Sequence, residues 1–513
     1  MKSLPVALFH GLGAGLMAPG YLAYRRDMDR LEDVQRERLE RLRRRLADTE
    51  SGRRLRLDDL RSAEDFAERV PLSDYSDWAP WVDRQRAAPD EAILHPTADR
   101  CRRYEPTSGS TSARKWIPYT PSLLEDFDRA ASPWLFDTSL RHPAILAGSH
   151  YWSLSWLPQE LRSLVHSTDD LELFPAWKRA ALRKTMAVPG DVASLPTLEA
   201  SLRLTLAHLV SREDLSFVSV WSPAFLLSLL RRLAEEREGV AEIPECSARA
   251  RSLLRSWDGR LQPEVLAALW PRLALVSCWM SGPSALWAEE LRRLFPRVQF
   301  EGKGLWATEG VVTIPFQGEH ALAYRSHFFE FRCLSTGRLH FSWQIEEGQE
   351  VEPVLSTGSG LLRYVIPDRL VVTGHRGRVP CLRFLGRNQT VDLTGEKLDA
   401  RTAAEAIAET SARSGLRGMS LLGHVPPDRS LRPCYVLLAE GRAREGTPPE
   451  EVIEEILCRQ HHYRLSRELG ELDPARVLVV ADASRFLEDA GRKSGAIAGQ
   501  LKVEPVKLWP WEL

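Results

Sequence analysis

Apolar residues recur at helical spacing through a charged stretch, at Leu31, Val34, Leu39, Leu42 and Leu46, and predict an amphipathic helix over 27–47. A second helix is predicted over 121–141, with Phe127, Trp134 and Leu135 on its buried side. Between them, 62–84 is mixed in polarity, and Trp78, Pro80 and Trp81 read as a packed turn. His150–Trp156 reads as a strand, and 197–211 and 223–236 as helices. The run Leu273–Trp279 is short, apolar and partly β-branched, as in a buried parallel strand. A helix over 284–295 and a strand near 297–300 follow, so 215–310 alternates strand, helix and strand.

After residue 320 the pattern turns strand-rich: 327–332, 337–343, 361–365, 370–373 and 381–385. From about 386 it changes again, to helix 400–414, strand 433–439, helix 449–466 and strand 476–481. No repeat and no low-complexity tether separates these regions. The boundary is therefore a short hinge near Gly386-Arg387, giving a large domain over 1–386 and a small one over 387–513. The fold class is α/β, a large α/β domain with mixed sheets followed by a smaller α+β domain.

Composition narrows the function classes. The 513 residues are 43% hydrophobic and 27% charged, with a net charge of −1, so nothing draws the whole chain to nucleic acid. Seven cysteines are scattered without a CxxC pair, which argues against a zinc site or a disulfide framework and fits a reducing cytoplasm. Leu4–Tyr24 is mostly apolar and is followed by Arg25-Arg26. It reads as a buried N-terminal helix, with membrane association as the alternative.

Only nine of the 69 basic residues are lysine, so each retained lysine is worth locating. Lys115 closes Thr107-Ser108-Gly109-Ser110-Thr111-Ser112-Ala113-Arg114-Lys115, a run of small hydroxyl residues able to offer N–H and O–H donors to an oligophosphate. It is not a Walker A loop, since one glycine stands where two are required and tryptophan follows the lysine. Gly302–Gly310 lies just past a predicted strand, where α/β sheets bind ligands, and Glu309 could hold Mg²⁺ between phosphate oxygens or be a helix-capping or surface acid, the plainer reading of the residue on its own. Asp368 ends the segment Arg363–Asp368 and is a natural acceptor for two ribose hydroxyls, with Arg387 nineteen residues on. Gly395-Glu396-Lys397-Leu398 and Gly499–Pro505, which contains Lys502, are the remaining candidates.

Taken in order, Tyr104–Thr120, Val220–Pro223, Ser277–Trp279, Gly302–Pro315, Phe328–Phe331, Arg363–Lys397, His462–Arg464 and Gly499–Pro505 resemble the Gretchen Hagen auxin-responsive family of acyl acid–amido synthetases, and its bacterial branch most closely. The resemblance runs over some 400 residues. It implies the adenylate-forming fold with a mobile C-terminal cap, and a two-step reaction. ATP and a carboxylic acid give an acyl-adenylate and pyrophosphate; an amine, usually that of an amino acid, then displaces AMP.

By the same likeness Ser108, Gly109, Ser110 and Thr111 would hold phosphates, Thr308 the adenylate phosphate and Glu309 the magnesium. Phe328 would stack on adenine and Asp368 and Arg387 would take the ribose; Lys397 and Lys502 would bring positive charge to the phosphates as the small domain rotates, beside that of Lys115. Trp221, Phe225, Trp279 and Trp306 are candidate walls for the acid, and equally candidate core. The chain departs from the family at Tyr364-Val365-Ile366-Pro367-Asp368, where the family carries an arginine after the tyrosine and a glycine before the aspartate. Pro367 fixes φ and removes a donor. Two alternatives therefore stand beside the amido synthetase: the same adenylation with a thiol acceptor such as CoA or a carrier protein, and a nucleotide-binding homologue that has lost catalysis.

Overall fold

The computed structural model of the chain describes residues 6–106, 115–153, 183–281, 284–387, 390–394, 396–426, 431–446, 448–493 and 503–509. Helix α1 (Val6–Arg26) and helix α2 (Leu31–Leu46) lead into the large domain. The predicted turn at 62–84 is instead two helices, Ala63–Arg69 and Tyr75–Ala87. Asp74 and Asp77 form a reciprocal cap at the start of the second, which holds the helix although Pro80 sits inside it.

A hairpin of β1 (Arg103–Pro106) and β2 (Trp116–Tyr119) precedes the long helix Pro121–Arg141. Four strands then form a parallel sheet in the order β3 (Ser149–Trp152), β4 (Leu215–Ser219), β5 (Leu275–Cys278), β6 (Gln299–Gly302). Every residue of β3, β4 and β5 is buried, as in a sheet covered on both faces. Helices Pro223–Ala241 and Ala285–Leu294 provide crossovers between these strands.

The small hairpin β7 (Trp306–Ala307) and β8 (Gly310–Val311) leads to an eight-stranded antiparallel sheet. It contains β9 (Thr313–Phe316), β10 (Glu319–Leu322), β11 (Phe328–Cys333), β12 (Leu339–Phe341), β13 (Glu350–Ser356), β14 (Tyr364–Val365), β15 (Asp368–Arg376) and β16 (Val379–Arg387). Its spatial order is β12-β11-β13-β15-β16-β10-β9, with β14 on β13. Gln35 of α2 fastens it: the side-chain amide donates to the Tyr324 and His327 carbonyls at 2.6 and 2.8 Å and accepts from the Phe329 N–H at 2.8 Å.

Beyond β16 come β17 (Thr390–Val391), β18 (Leu398–Asp399) and the small domain, a sheet in the order β21 (Arg476–Val479), β20 (Cys434–Glu440), β19 (Arg417–His424), β22 (Val506–Trp509). The predicted helix 449–466 is broken into Pro449–Leu457 and His461–Glu468. The small domain packs on helix Pro223–Ala241 of the large one. Arg231 meets Asp482 at 2.8 Å, Arg485 meets Glu235 at 3.2 Å, and Arg417 pairs with Glu290. Leu487 and Trp509 share a hydrophobic core with Phe225 and Leu229.

Candidate active site

Three tryptophans leave the carboxyl ends of the parallel strands. Trp221 follows β4, Trp279 follows β5 and Trp306 lies shortly after β6. Their ring centroids form a chain, Trp279 to Trp221 to Trp306, with both steps 5.9 Å. Trp279 and Trp306 line a cleft with Phe384 and Gly386 of β16 on another side. Val503, Glu504 and Pro505 of the small domain close it. Ligands of open α/β sheets bind at this end of the strands.

Just beyond Trp306 in the chain, Thr308 and Glu309 are the two residues between Ala307 and Gly310, which pair across the β7–β8 hairpin. The turn is held from three directions. The Tyr119 hydroxyl donates to the Thr308 carbonyl at 3.2 Å, and the Tyr364 hydroxyl donates to Glu309 Oε1 at 3.1 Å. The Val311 N–H donates to His327 Nε2 at 3.1 Å. His327 is fully buried with Nδ1 3.4 Å from Asp126, and burial holds its pKa below the usual value against the pull of that carboxylate. Burial and the Glu309 charge push the Tyr364 phenol up, so it stays a donor. Gly310 admits no side chain, since a Cβ there would lie 2.7 Å from His327 Nε2 and 2.8 Å from Leu355 Cδ2.

Asp368 opens β15 opposite Arg387, which ends β16. Arg387 Nε donates to Asp368 Oδ1 at 3.1 Å, and its Nη1 donates to Glu504 Oε1 at 3.2 Å. Burial works against the Arg387 charge; Asp368, Glu504 and Glu309 outweigh it and hold its pKa above the usual value. Asp368 is 1% exposed, and its Oδ2 has no hydrogen-bond partner among the described residues. A buried carboxylate oxygen left unpaired is costly unless a ligand donates to it. The Asp368 N–H donates to the Ile366 carbonyl at 2.8 Å, a bond spanning two residues, so Pro367 is the centre of a γ-turn. The departure from the family pattern is thus accommodated without moving the aspartate out of the site.

The chain matches the GH3 family N-terminal domain over residues 23–245, the central domain over 320–387 and the C-terminal domain over 401–508. It belongs to the GH3 family. Among curated relatives, a putative indole-3-acetic acid-amido synthetase GH3.10 of Oryza sativa subsp. japonica is 24% identical over 382 residues, covering 68% of this chain and 76% of the relative. A probable indole-3-acetic acid-amido synthetase GH3.12 of the same rice is 24% identical over 466 residues, covering 75% and 74%. Among solved structures, AtGH3.15 acyl acid amido synthetase in complex with 2,4-DB superposes with a TM-score of 0.76 at 18% identity, over 95% of this chain and 93% of that one. The fold is that of the GH3 proteins.

Of the residues anticipated from sequence, Thr308, Glu309, Asp368 and Arg387 come together here. Lys115 is half-buried with its ammonium 5.7 Å from the Tyr75 ring. Tyr75 joins it to the group, since Tyr75 feels the Glu309 charge and its hydroxyl accepts the Trp116 N–H at 2.7 Å. Ser108, Gly109, Ser110, Thr111 and Lys502 lie outside the described residues.

One expectation is corrected. Phe328 is 1% exposed, with its ring against Phe66 at 5.8 Å and Phe341 at 6.2 Å, so the core claims the face that was to meet adenine. The aromatic rings presented to the cleft are those of Trp279, Trp306 and Phe384. Lys397 is exposed, takes a left-handed φ of 49° and stands outside the cleft in this arrangement of the domains; the expectation is that it approaches the phosphates as the small domain rotates. Of the candidate acid walls, Phe225 is buried in the core under the small domain.

Two side chains at the site went unread in the sequence. Glu504 reaches in from the small domain to Arg387. Lys303 is 1% exposed just after β6; its Nζ donates to Ser219 Oγ at 2.7 Å and lies 4.3 Å from the centre of the Trp221 ring. A cation over an indole fixes the ring that backs the cleft. The scarcity of lysine was the only available signal, and it pointed to the motif rather than to this contact.

Among the described residues no group of three or more His, Cys, Asp and Glu could hold a metal by itself. Glu309 supplies a single carboxylate. That suits Mg²⁺, which commonly takes one or two carboxylates and completes its shell with phosphate oxygens and water.

Proposed function

We propose that this GH3 protein is an ATP-dependent acyl acid–amido synthetase, which adenylates a carboxylic acid and transfers the acyl group to an amine, that of an amino acid. The observation that carries the reading is the unpaired, buried Asp368 Oδ2 beside Arg387, which lines a tryptophan-walled cleft and feels the charge of Glu309. Its fold and its relatives' names agree with it.

The chain's own groups divide the work. Asp368 accepts from a ribose hydroxyl, and Arg387 holds that carboxylate in place. Trp279, Trp306 and Phe384 offer flat apolar faces to the adenine or the acid. Lys115 stands by for phosphate charge on the far side of Tyr75. Magnesium held by Glu309 would neutralise phosphate charge, making pyrophosphate a better leaving group. Closure by Val503–Pro505 excludes water from an activated acyl group. The amine step then needs mostly orientation. Seven free cysteines suit a cytoplasmic setting.

The test is acid-dependent exchange of labelled pyrophosphate into ATP, with Mg²⁺ and a panel of carboxylic acids. Mass analysis after adding amino acids follows. Exchange and an amide product are expected. A thioester formed only with CoA would move the assignment to the thiol acceptor, and ATP binding without exchange would reduce the protein to a nucleotide-binding homologue.

A further inference from the structure

Helix α1 has two unlike faces. One is docked on the large domain: His10 Nε2 donates to the Gly148 carbonyl at 2.7 Å, and the Tyr24 hydroxyl donates to the Leu322 carbonyl at 2.7 Å. Gly20 brings the helix so close to Ser132 that a Cβ would lie 2.9 Å from it. The opposite face carries Leu8, Leu12, Leu16 and Leu22, which are 48%, 55%, 37% and 61% exposed. Every other exposed residue of the helix before Arg25 is alanine, glycine or proline. At 100° per residue these positions cover one half of the cylinder, and Arg25 and Arg26 end the same half. A surface helix of a water-soluble domain ordinarily turns charged and polar side chains outward.

We propose that this face lies on a lipid bilayer bearing anionic headgroups, with the four leucines in the acyl boundary and Arg25 and Arg26 at the headgroups. Three observations favour lipid over a second copy of the chain. The helix is long and apolar enough to cross a bilayer, yet its docked face keeps it on the protein, which leaves the in-plane arrangement. Four glycines and Pro19 within 21 residues are poor helix formers in water and are commoner in membrane helices. The strip is one helix wide, and stable protein interfaces bury about 800 Å² per partner, more than four partly exposed leucines and their small neighbours supply. Arg25 puts positive charge at its end, which matches an anionic surface, while Arg26 also pairs with Asp27 at 2.8 Å. The four leucines also precede the match to the family's N-terminal domain, which begins at residue 23. An enzyme held at a bilayer would meet carboxylic acids that partition there.

The experiment is flotation of the full-length protein with vesicles of phosphatidylcholine alone, or of phosphatidylcholine and phosphatidylglycerol in equal amounts. Wild type should float with the mixed vesicles. The double variant L12Q/L16Q should lose about tenfold or more in vesicle affinity, since two leucines leave the acyl region. R25Q/R26Q should lose about tenfold on the mixed vesicles only. Both pairs of side chains are exposed, so an unchanged thermal unfolding midpoint serves as the folding control. Wild type left at the bottom with both vesicles would overturn the proposal, as would L12Q/L16Q floating like wild type. A lipid-free dimer that L12Q/L16Q dissociates, without flotation of the wild type, would assign the face to a second copy instead.

Discussion

Asp368 and Arg387 face one another at the ends of adjacent antiparallel strands, joined by one hydrogen bond of 3.1 Å that leaves the second aspartate oxygen unpaired. Because Arg387 also reaches Glu504, the pair links the nucleotide side of the cleft to the domain that closes it. Asp368→Asn keeps the volume and an acceptor for Arg387 but can turn the unpaired acceptor into a donor. We expect pyrophosphate exchange to fall about 100-fold, with the KM for ATP rising and stability changing little. Arg387→Ala should act on both counts, because it strands a buried carboxylate; about 3 kcal/mol of stability should go with the activity. Denaturant titration beside the exchange assay separates the two effects.

Glu309 and Tyr364 make a second separable pair. Glu309→Gln retains an acceptor for the Tyr364 hydroxyl and removes the charge assigned to magnesium. Exchange should drop about 100-fold or more, with the Mg²⁺ dependence moved to higher concentration. Tyr364→Phe removes only the hydrogen bond that steadies the carboxylate, so about tenfold is expected. Equal effects of the two, with the Mg²⁺ dependence unmoved, would take the metal role away from Glu309.

The alternation over 215–310 was legible because β5 is a short apolar run between helices. The central strand Arg417–His424 was not. Its glycines make room for neighbours: a Cβ at Gly418 would lie 2.9 Å from Ile407 and from Ser411, and one at Gly423 would lie 2.8 Å from Val391. Glycine at both ends of an apolar segment reads as a turn until the crossing helix is seen. In the site, Glu309 and Asp368 were picked out by their place in motifs shared with the family rather than by any local pattern. His327, Glu504 and Lys303 were not, because each acts through a tertiary contact with a distant segment. Phe328 misled for the converse reason, since an aromatic at a family motif looks the same whether it meets a ligand or the core.

Gly310 tests whether the Thr308–Glu309 turn depends on the support behind it. In Gly310→Ala the new methyl meets His327 and Leu355 below 3 Å, and neither is the free end of a flexible chain. Displacement of the hairpin should cost about 1–3 kcal/mol of stability. It should also lower kcat, because Thr308 and Glu309 shift, and raise the KM for the acid, because Trp306 belongs to the same hairpin. A variant as stable and active as wild type would show that the turn adapts freely.

His10 and His150 give a pH dependence with a definite sign. Their rings lie 4.2 Å apart, and His150 Nε2 donates to the Ile145 carbonyl at 2.9 Å. Burial, and then the neighbouring His10, push the His150 pKa down to about 3; burial also lowers that of His10. A histidine of the unfolded chain takes its proton near pH 6.5, whereas native His150 does so only near 3. Between those values the unfolded state binds more protons, so stability falls as pH falls through this window and levels off below it. From about pH 7.5 to about pH 5.5 the His150 share of the loss is about 1.4 kcal/mol. His150→Gln keeps a donor for the Ile145 carbonyl and has no proton to gain. Urea unfolding at the two pH values should therefore show a loss smaller by about that amount in the variant. Equal losses in the two proteins would mean that His150 is already protonated in the folded state, or that other groups set the slope.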